Sequence, residues 1–390
     1  MNVRDAGLAD RICFFGTYTT AQGYPVNRVI LKGLQRAGIA VEECRQELWE
    51  GGFLNELFAR SSLRLVWSLC WRLPLCYGRL LIKYLAIGHH QWVAVGYPGY
   101  LDVLVARAMN WHHRRRIVLV AFISLYDTAV LDRAQVDVSS WKGRLLKALD
   151  RFSFAAADIV LVDTDAHGQH FSELFELPRH KFVRSFVGED DDEFKPTELV
   201  TGATELPVFE ALFFGTYVPL HGIEVIVDAA DLLLKEKDIN ITVIGTGQLL
   251  PQIKQDAERR AVTNIDFIDR WVPTDELIAH IERAQVCLGI FGSTPKAARV
   301  IPYKVYDALA MRKPVVTRDS PAVRELLVND ESALLCAPEG KSLADALLRL
   351  RNETGLASKL ACNGYERYRQ HGSPAAVGRA LVNSLKAAAA

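Results

Sequence analysis

Basic side chains and one carboxylate follow one another between residues 296 and 307, at spacings that suit an anionic ligand. Lys304 lies at the start of a predicted helix over residues 303–311, where the helix dipole already favours an anion such as a diphosphate. Asp307 follows one turn later on the same face, where its carboxylate can accept hydrogen bonds from both hydroxyls of a ribose. The alternative is a surface ion pair between these two residues, although such pairs contribute little stability. Thr294 lies just before this stretch, which also contains Lys296, Arg299 and Pro302.

A pentapeptide, Phe-Phe-Gly-Thr-Tyr, occurs at residues 14–18 and again at residues 213–217. Each copy is followed at the same offset by a glycine, Gly23 or Gly222, and then by a helical pattern. An apolar strand, a glycine-containing turn and an amphipathic helix form the opening of a doubly wound α/β domain. A long-period repeat of this kind predicts two similar domains in tandem, with a chance match between two strand ends as the alternative.

Apolar segments of strand length alternate with amphipathic helices through both halves of the chain. Continuous apolar runs such as residues 117–123 indicate strands in the middle of a parallel sheet, and a helical segment over residues 53–88 is predicted to break near Pro74. The acidic, proline-containing stretch 187–207 predicts a linker. We expect one α/β domain over residues 1–200, a second over residues 201–370, and a helix over residues 371–390 that packs toward the first domain.

The bulk composition indicates a globular protein from a reducing compartment. The chain has seven cysteines and no Cys-x-x-Cys pair, and an odd number of cysteines in a chain of this size argues against a disulfide framework. We expect no signal peptide from the polar first residues and no membrane-spanning helix from the lengths of the apolar runs. These features predict a cytoplasmic protein.

Positive charge is concentrated between residues 57 and 126, although the net charge of the whole chain is zero. This window contains nine basic residues against one acidic residue, Asp102. The arginines alternate with Trp, Leu and Tyr, as on surfaces that rest on anionic lipid headgroups, and we predict that residues 57–101 contact an anionic membrane. A core helix pair with arginines on its solvated face is the alternative, and the high apolar content argues against nucleic acid as a partner.

Five ordered motifs give the second half of the chain a resemblance to a known enzyme family. They are Phe-Gly-Thr-Tyr-Val-Pro-Leu-His-Gly at 214–222, Ile-Gly-Thr-Gly at 244–247, Ile-Pro-Tyr-Lys-Val-Tyr-Asp-Ala-Leu-Ala at 301–310, Lys-Pro-Val-Val-Thr at 313–317 and Ala-Val-Arg-Glu at 322–325. In order and spacing they resemble the donor-binding domain of GT-B glycosyltransferases of group 1, or family 4, which are retaining enzymes. The first half resembles the acceptor domain of the same family more loosely.

The resemblance implies two Rossmann-like, doubly wound α/β domains that face a central cleft. It also implies transfer of a sugar from a UDP- or GDP-type nucleotide sugar to a lipid-linked or membrane-proximal glycan, in polysaccharide biosynthesis by a protein peripheral to the inner face of the membrane. The scheme includes no metal and no further cofactor, because helix termini and Lys or Arg side chains neutralise the diphosphate. We interpret the acidic clusters 163–165 and 190–192 as a helix cap and as part of the linker, with a metal site as the alternative for each.

Carried over onto this sequence, the donor-binding residues lie in the loops of the second domain. Asp307 stands where the family has a ribose-binding Glu, and Arg299 replaces a Glu usual eight residues earlier. The Arg and Lys usual on the first loop are absent, since Thr216 and His221 stand there. The positive charge has moved to a later loop, where Lys304 and Arg299 are predicted to act as catalytic residues that stabilise the leaving diphosphate. The predicted donor-binding residues are Gly215, Thr216, His221, Gly245, Gly247, Arg270, Thr294, Pro302, Lys304 and Asp307.

In the first half, the loop after the first strand supplies the predicted acceptor-binding residues, with an ordinary loop in which Pro25 opens a helix as an equal alternative. The histidine that the family places after the strand at 117–123 is absent, so Asp127 is predicted as a catalytic base or orienting group, with a helix cap through Thr128 as the alternative. A nucleotide-sugar epimerase and a non-catalytic glycosyltransferase-like partner are the alternative functions. The predicted acceptor-binding residues are Gly16, Thr17, Gly23, Tyr24, Asn27 and Arg28.

Overall fold

Two compact units make up the computed structural model of the chain. The first comprises Met1–Val187 and Pro374–Ala390, and the second comprises Gly188–Ser373. The structure describes residues 11–20, 25–47, 63–112, 115–196 and 208–389, and their side chains except those of residues 63–71 and 389. Among these residues, no helix is both long and apolar enough to cross a membrane.

A six-stranded parallel sheet forms the centre of the first unit. Its strands are β1 (Arg11–Gly16), β2 (Ala40–Arg45), β3 (Trp92–Val95), β4 (Arg116–Val120), β5 (Ile159–Val162) and β6 (Phe182–Arg184). They lie in the order β2-β1-β3-β4-β5-β6, so the direction of winding reverses between β1 and β3. Every residue of β3 and β5 is buried, as expected for apolar strands that are covered on both faces.

Helices cover both faces of this sheet. They are α1 (Pro25–Arg36), α2 (Leu63–Ala86), α3 (Asp102–Met109), α4 (Trp141–Ala156) and α5 (Asp165–Phe175), with a π-helical turn at Asp127–Asp132 and a 3-10 turn at Arg179–Lys181. Side chains of α2, α3, α4 and α5 share one hydrophobic core on one face of the sheet. Helix α2 runs through Pro74, so the predicted break there is wrong. Pro74 is exposed, and water can therefore satisfy the carbonyl group that loses its helical hydrogen bond.

The second unit repeats this architecture around its own parallel sheet. The strands are β7 (Phe209–Phe214), β8 (Ile239–Ile244), β9 (Ile265–Ile268), β10 (Val286–Leu288), β11 (Val315–Arg318) and β12 (Leu334–Cys336). Their order, β12-β11-β10-β7-β8-β9, is that of Rossmann dinucleotide-binding folds, with the switch point between β7 and β10. The predicted α/β class with two doubly wound sheets is confirmed.

Six helices and three single 3-10 turns surround the second sheet in the described residues. The helices are α6 (Ile223–Leu232), α7 (Leu250–Arg259), α8 (Thr274–Arg283), α9 (Tyr303–Ala310), α10 (Gly340–Asn352) and α11 (Leu356–His371), and the turns are Pro219–His221, Lys296–Ala298 and Val323–Glu325. Helix α9 follows β10 and therefore begins at the switch-point edge of the sheet.

The acidic run after Val187 belongs to the second unit. The hydroxyl group of Tyr368 on α11 donates a hydrogen bond of 2.9 Å to the carbonyl oxygen of Glu189, which fixes the start of the run. The boundary between the units thus falls earlier in the chain than the expected boundary at residues 200/201. The last helix, α12 (Pro374–Ala389), packs against α1 within the first unit.

Candidate functional site

The loops that follow β7 and β10 meet at the switch point of the second unit, where open parallel sheets bind their ligands. The N–H of Phe291 donates a hydrogen bond of 2.9 Å to the carbonyl oxygen of His221. The backbones approach so closely that a Cβ atom on Gly222 would collide with the nitrogen of Gly292. Glycine at this position therefore permits the close approach of the two loops at the edge of the sheet.

Lys304, in the first turn of α9, carries its ammonium group to the loop after β7. Its Nζ lies 3.7 Å from the centroid of the Phe213 ring. Gly215 has a φ of +144°, and a Cβ atom there would lie 2.8 Å from this Nζ, so glycine leaves the room that the ammonium group occupies. Lys304 is 5% exposed, and among the described residues its Nζ has no hydrogen-bond partner. Burial lowers the pKa of Lys304 well below its ordinary value of 10.5, while the charge of Asp307 acts in the opposite direction.

Asp307 lies one turn further along α9 but contacts a different neighbour. Its side chain is 7% exposed and is hydrogen-bonded to the buried side chain of Glu189. Burial, and after it the carboxyl group of Glu189, raise the pKa of Asp307 well above its ordinary value, since two carboxyl groups in contact do not both ionise. Its Oδ1 has no hydrogen-bond partner within the described ranges. Lys304 and Asp307 therefore do not form the surface ion pair that their spacing allowed.

Glu189 is the residue of this site that the sequence analysis missed, because its acidic neighbours indicate a solvated linker. The carboxylate oxygens of residues 190–192 lie within 4.8 Å of one another, and the N–H of Asp192 donates 3.1 Å to the side chain of Asp190, so the run forms a tight turn. The signal for burial is the pair of aromatic residues that flank the run, Phe186 and Phe194, both of which are buried.

Two further glycines bring the loop after β8 to the same edge of the sheet. A Cβ atom on Gly245 would collide with the carbonyl oxygen of Gly215, and Gly247 makes a similarly close approach to the loop after β7. That loop is folded back on itself, because Nδ1–H of His221 donates to the carbonyl oxygen of Thr216. The structure thus brings five predicted donor-binding residues into adjoining loops at this edge, and one of them, Gly215, lies against the side-chain nitrogen of Lys304.

The loop between β10 and α9 carries the next three predicted residues. The hydroxyl oxygen of Thr294 accepts a hydrogen bond of 3.3 Å from the N–H of Ala297, in the short helix Lys296–Ala298. Arg299 ends this short helix and is partly buried. Pro302 stands immediately before α9 and lies in an extended conformation that starts the helix.

Two further arginines lie at or just after the carboxyl ends of strands of this sheet, one predicted and one not. Arg270, after β9, forms a two-pronged ion pair with Glu276 at 3.0 and 2.5 Å and is largely exposed, so its charge is already matched by a carboxylate. Arg318, at the end of β11, donates to the carbonyl oxygen of Gly292 and so reaches the switch-point loop. Arg318 could not be identified from the sequence, because a strand-terminal arginine has no distinguishing local pattern.

In the first unit, the predicted residues Gly16 and Thr17 surround a buried carboxylate, Asp102, at the start of α3. The N–H and hydroxyl groups of Thr17 donate to Asp102 at 2.8 and 3.0 Å, and the Tyr77 hydroxyl donates at 2.8 Å. A Cβ atom on Gly16 would lie 2.6 Å from Oδ2 of Asp102. Burial raises the pKa of Asp102, whereas these hydrogen bonds act to lower it. Both carboxylate oxygens are therefore satisfied inside the unit.

Asn27 joins the loops that follow β1 and β3. Its side-chain amide donates to the carbonyl oxygens of Thr19 and Tyr97 at 3.0 and 2.9 Å, and its Oδ1 accepts the N–H of Tyr97 at 2.8 Å. Both amide hydrogens are thus used within the unit. Arg28 follows on α1 and is partly buried. The predicted residues Gly23 and Tyr24 lie outside the described residues.

Asp127 begins the π-helical turn after β4 and is completely buried. Its Oδ1 lies 3.1 Å from Nε2 of His170, and its Oδ2 lies 4.0 Å from Nε2 of His167, which is held by Asp163 at 2.7 Å. Thr164 accepts the N–H of His167 at 3.0 Å and caps α5, as predicted. His170 is 21% exposed at its side chain, so Asp127 can orient a histidine that reaches solvent but cannot itself touch a ligand.

Comparison with known proteins connects these features with a family. Residues 209–353, which include the Lys304–Asp307 segment, match the family model described as glycosyl transferases group 1. The chain is 21% identical over 252 residues to an alpha-D-kanosaminyltransferase of Streptomyces kanamyceticus, with 62% of each chain covered. It is 24% identical over 156 residues to an uncharacterised glycosyltransferase of Methanocaldococcus jannaschii, with 40% of this chain and 42% of that protein covered. The matched part is thus less than two thirds of either relative's length.

Solved structures of the same fold cover nearly the whole chain. Anabaena HepE, solved in complex with UDP and glucose, matches with a TM-score of 0.64 and 15% identity over 97% of this chain and 99% of that one. Sucrose-phosphate synthase from Thermosynechococcus elongatus matches with a TM-score of 0.68 and 15% identity over 97% and 98%. At such low identity the likeness establishes the fold, and the family match over residues 209–353 agrees with the motifs found in the sequence. Residues 209–353 therefore carry a glycosyltransferase group 1 domain, and the chain as a whole has the GT-B fold of these structures.

Proposed function

We propose that this protein transfers a sugar from a nucleoside-diphosphate sugar, and that the nucleotide binds at the β7–β10 edge of the second unit. One observation carries the proposal: Nζ of Lys304 and Oδ1 of Asp307 are buried at this edge, and neither has a hydrogen-bond partner among the described residues. Burial of an unmatched ammonium group is unfavourable, and such groups are concentrated at functional sites. A ligand with a diphosphate and a ribose provides both missing partners.

Departure of the nucleoside diphosphate from the sugar places negative charge on the leaving phosphate. Lys304 is positioned to stabilise this charge in a water-poor site, where electrostatic interactions are strongest. Lys296 and Arg299, on the short helix before α9, add positive charge on the adjoining loop. Since these side chains neutralise the diphosphate, the proposal includes no cofactor beyond the nucleotide sugar.

Asp307 is proposed to accept the ribose hydroxyl groups. Glu189 holds the carboxyl group of Asp307 by a hydrogen bond, which fixes its orientation and leaves Oδ1 for the ligand. A diol that donates hydrogen bonds favours the ionised form of Asp307 and therefore shifts the shared proton toward Glu189. The UDP bound in HepE supports a UDP-type donor, with a GDP-type donor as the alternative.

The finer parts of the proposal concern the acceptor. Retention of the anomeric configuration is supported by the family resemblance, and in the first unit Asp127 is proposed to act through His170. The acceptor is proposed to be a lipid-linked or membrane-proximal glycan, used by a protein peripheral to the inner face of the membrane. Support comes from α2, on which both apolar and basic side chains are exposed to solvent: Leu75, Arg79, Ile82, Lys83 and Leu85.

Calorimetric titration with UDP and with GDP tests the nucleotide site. Lys304→Met removes the charge but keeps most of the apolar stem. We expect the wild-type protein to bind one of the nucleotides and Lys304→Met to bind it at least tenfold more weakly, since hydrogen bonds to charged groups contribute about 1.5–3 kcal/mol. Lys341→Met is the matched control, because Lys341 is exposed on α10 and pairs with Asp345 at 2.9 Å.

Two results would contradict the nucleotide site. One is equal affinity of Lys304→Met and the wild-type protein, and the other is no binding of either nucleotide by the wild-type protein. Incubation with the nucleotide sugar tests the reaction type separately: an epimerised nucleotide sugar in the absence of acceptor would indicate the alternative epimerase reaction instead of transfer.

A further inference from the structure

Helix α4 of the first unit exposes apolar side chains that neither the core nor the proposed reaction uses. Trp141, Leu145 and Phe152 are 64%, 57% and 61% exposed, respectively. Their spacing places them on one face of the helix, opposite the buried Asp150. This helix lies outside the segment 57–101 for which the sequence predicts membrane contact.

Leu145 and Phe152 border a groove of about 650 Å³ between α3 and α4. The groove is lined by Leu104, Leu145, Leu149 and Phe152, with alanines between them and Arg107 at one end. Exposed apolar surface of this kind on a soluble unit marks a site of contact with an apolar partner.

Arg107 also borders a second cavity, of about 570 Å³, at the amino end of β4. This cavity is basic, because Arg107, Arg115 and Arg116 line it against one acidic residue, Asp158. Asp158 pairs with Arg107 at 2.7 Å. Trp111, which is 76% exposed, completes the rim.

The other two arginines of this cavity are held by aromatic rings. The guanidinium carbon of Arg115 lies 5.5 Å from the centroid of the Tyr84 ring, and that of Arg116 lies 5.6 Å from the Trp92 ring. In the part of the chain that the structure describes, neither arginine has a carboxylate partner. The cavity therefore presents two positive charges that no acidic side chain there neutralises.

The basic cavity lies at the edge of the sheet opposite the candidate reaction residues. Arg116 opens β4, and Asp158 immediately precedes β5. Asp127 and Asp163 instead follow the carboxyl ends of these two strands. Ligand binding at the basic cavity is therefore separate from the polar cluster around Asp127.

We propose that the groove and the basic cavity together bind an anionic phospholipid of a bilayer. The acyl chains lie along Leu145 and Phe152, and the headgroup phosphate lies in the basic cavity beside Arg115 and Arg116. Arg107 borders both the apolar groove and the basic cavity, so the two sites together complement an amphiphile with an anionic headgroup. The exposed ring of Trp111 is of the kind that is enriched at the level of lipid headgroups. A second copy of the chain fits less well, because a two-fold contact would place the arginines of one copy against the same arginines of the other, and like charges repel.

Flotation with vesicles tests this proposal, using phosphatidylcholine alone or mixed with phosphatidylglycerol. We expect the wild-type protein to float with the mixed vesicles. Arg115→Gln with Arg116→Gln should weaken this binding about thirtyfold, given the contribution of each basic residue near an anionic surface. Leu145→Ser with Phe152→Ser should weaken it by a similar factor, because the acyl chains lose their groove.

Matched controls lie on the second unit. Arg259→Gln with Arg369→Gln makes the same change of net charge at exposed positions, and Leu232→Ser with Trp271→Ser removes equally exposed apolar side chains. Neither control should alter flotation. All four double variants should keep the melting temperature and the UDP or GDP affinity of the wild-type protein, which separates loss of lipid binding from failure of the nucleotide site.

Three outcomes would overturn the proposal. The first is flotation of the groove and arginine variants at wild-type strength, which would leave α2 as the membrane contact. The second is equal binding of the wild-type protein to both kinds of vesicle, or to neither kind. The third is light scattering that shows a wild-type dimer and a monomeric Leu145→Ser, Phe152→Ser variant, which would assign the groove to a second copy of the chain.

Discussion

The repeated pentapeptide makes the same turn in both units but faces opposite charges. Gly16 and Gly215 have φ values of +136° and +144°. A Cβ atom on Gly16 would lie 2.6 Å from a carboxylate oxygen of Asp102, and one on Gly215 would lie 2.8 Å from the ammonium nitrogen of Lys304. The two positions correspond, because Asp102 opens α3 after β3, Lys304 lies at the start of α9 after β10, and these strands neighbour β1 and β7.

The two charges differ in how the surrounding unit satisfies them. Asp102 accepts hydrogen bonds from Thr17 and Tyr77, and in the same copy the Tyr18 hydroxyl donates to Glu43 at 2.8 Å. In the second copy, neither Nζ of Lys304 nor the hydroxyl of Tyr217 has a hydrogen-bond partner among the described residues. One turn is therefore closed by internal hydrogen bonds, while the other leaves polar atoms for a ligand. The comparison predicts that mutations at equivalent positions affect stability in the first unit and ligand binding in the second.

Asp102→Ala should have the largest effect of the changes considered. It leaves the N–H and hydroxyl of Thr17 and the hydroxyl of Tyr77 buried without an acceptor, and we expect the free energy of unfolding to fall by about 3 kcal/mol. Urea unfolding of the two proteins measures this difference. Nucleotide affinity of the folded variant should match that of the wild-type protein. A change below about 1 kcal/mol would show that the hydrogen bonds around Asp102 do not close the turn.

Lys304→Met should change stability in the opposite direction. Without ligand, the substitution removes a buried amino group that has no hydrogen-bond partner among the described residues and whose charged form burial disfavours, so the free energy of unfolding should rise by about 1–2 kcal/mol. At the same nucleotide concentration, the melting temperature of the wild-type protein should rise more than that of the variant. If the ligand-free variant is less stable than the wild-type protein, Lys304 has a structural role like that of Asp102, and the contrast between the two turns is wrong.

Much of this fold could be predicted from the sequence, because its signals are local. Continuous apolar runs such as Ile117–Val120 indicate buried parallel strands, and the repeated pentapeptide indicates two units of one design. Lys304 and Asp307 could also be placed at the ligand edge, since their helix follows a strand of a doubly wound sheet. In these cases a short stretch of sequence determines both the element that carries the residue and the edge of the sheet at which it lies.

The contacts that determine how the buried charged side chains are satisfied could not be predicted, because they join segments that are distant in the sequence. Glu189 lies in an acidic run that favours solvent, and its pairing with Asp307 sets two carboxyl groups against each other, which local rules disfavour. Asp102 is the one acid of a basic window, and nothing near it in the sequence indicates the hydroxyl groups of Thr17 and Tyr77. Helix α2 passes Pro74 because packing of the whole helix outweighs one unfavourable residue.

Alanine substitutions at the two equivalent glycines should differ in their effect on stability, because one glycine has a rigid neighbour, Asp102, and the other a flexible one, Lys304. Both substitutions place a side chain at positive φ, which is unfavourable by about 1–2 kcal/mol in either unit. Gly16→Ala also meets the short, hydrogen-bonded side chain of Asp102, whereas Gly215→Ala meets the tip of a lysine that can move. We expect Gly16→Ala to be less stable than Gly215→Ala by about 1 kcal/mol in urea unfolding. Gly215→Ala alone should weaken nucleotide binding, because Lys304 must shift; equal losses of stability with unchanged nucleotide affinity would contradict this difference.

The threonines of the two pentapeptides provide the finest test, since the same substitution is made at matched positions. Thr17→Val removes a hydroxyl donor from Asp102 but keeps the backbone N–H bond, so the free energy of unfolding should fall by about 0.5–1.5 kcal/mol. Thr216 contributes its backbone carbonyl to the bond with His221, and Thr216→Val keeps that group, so its stability should stay within about 0.5 kcal/mol of the wild-type value. Because shape and volume change alike in both variants, any difference between them reports the hydroxyl group. Equal losses of stability in the two variants would mean that the hydroxyl bond to Asp102 contributes nothing to the closed turn, and that its closure depends on the backbone of Thr17 and on Tyr77 alone.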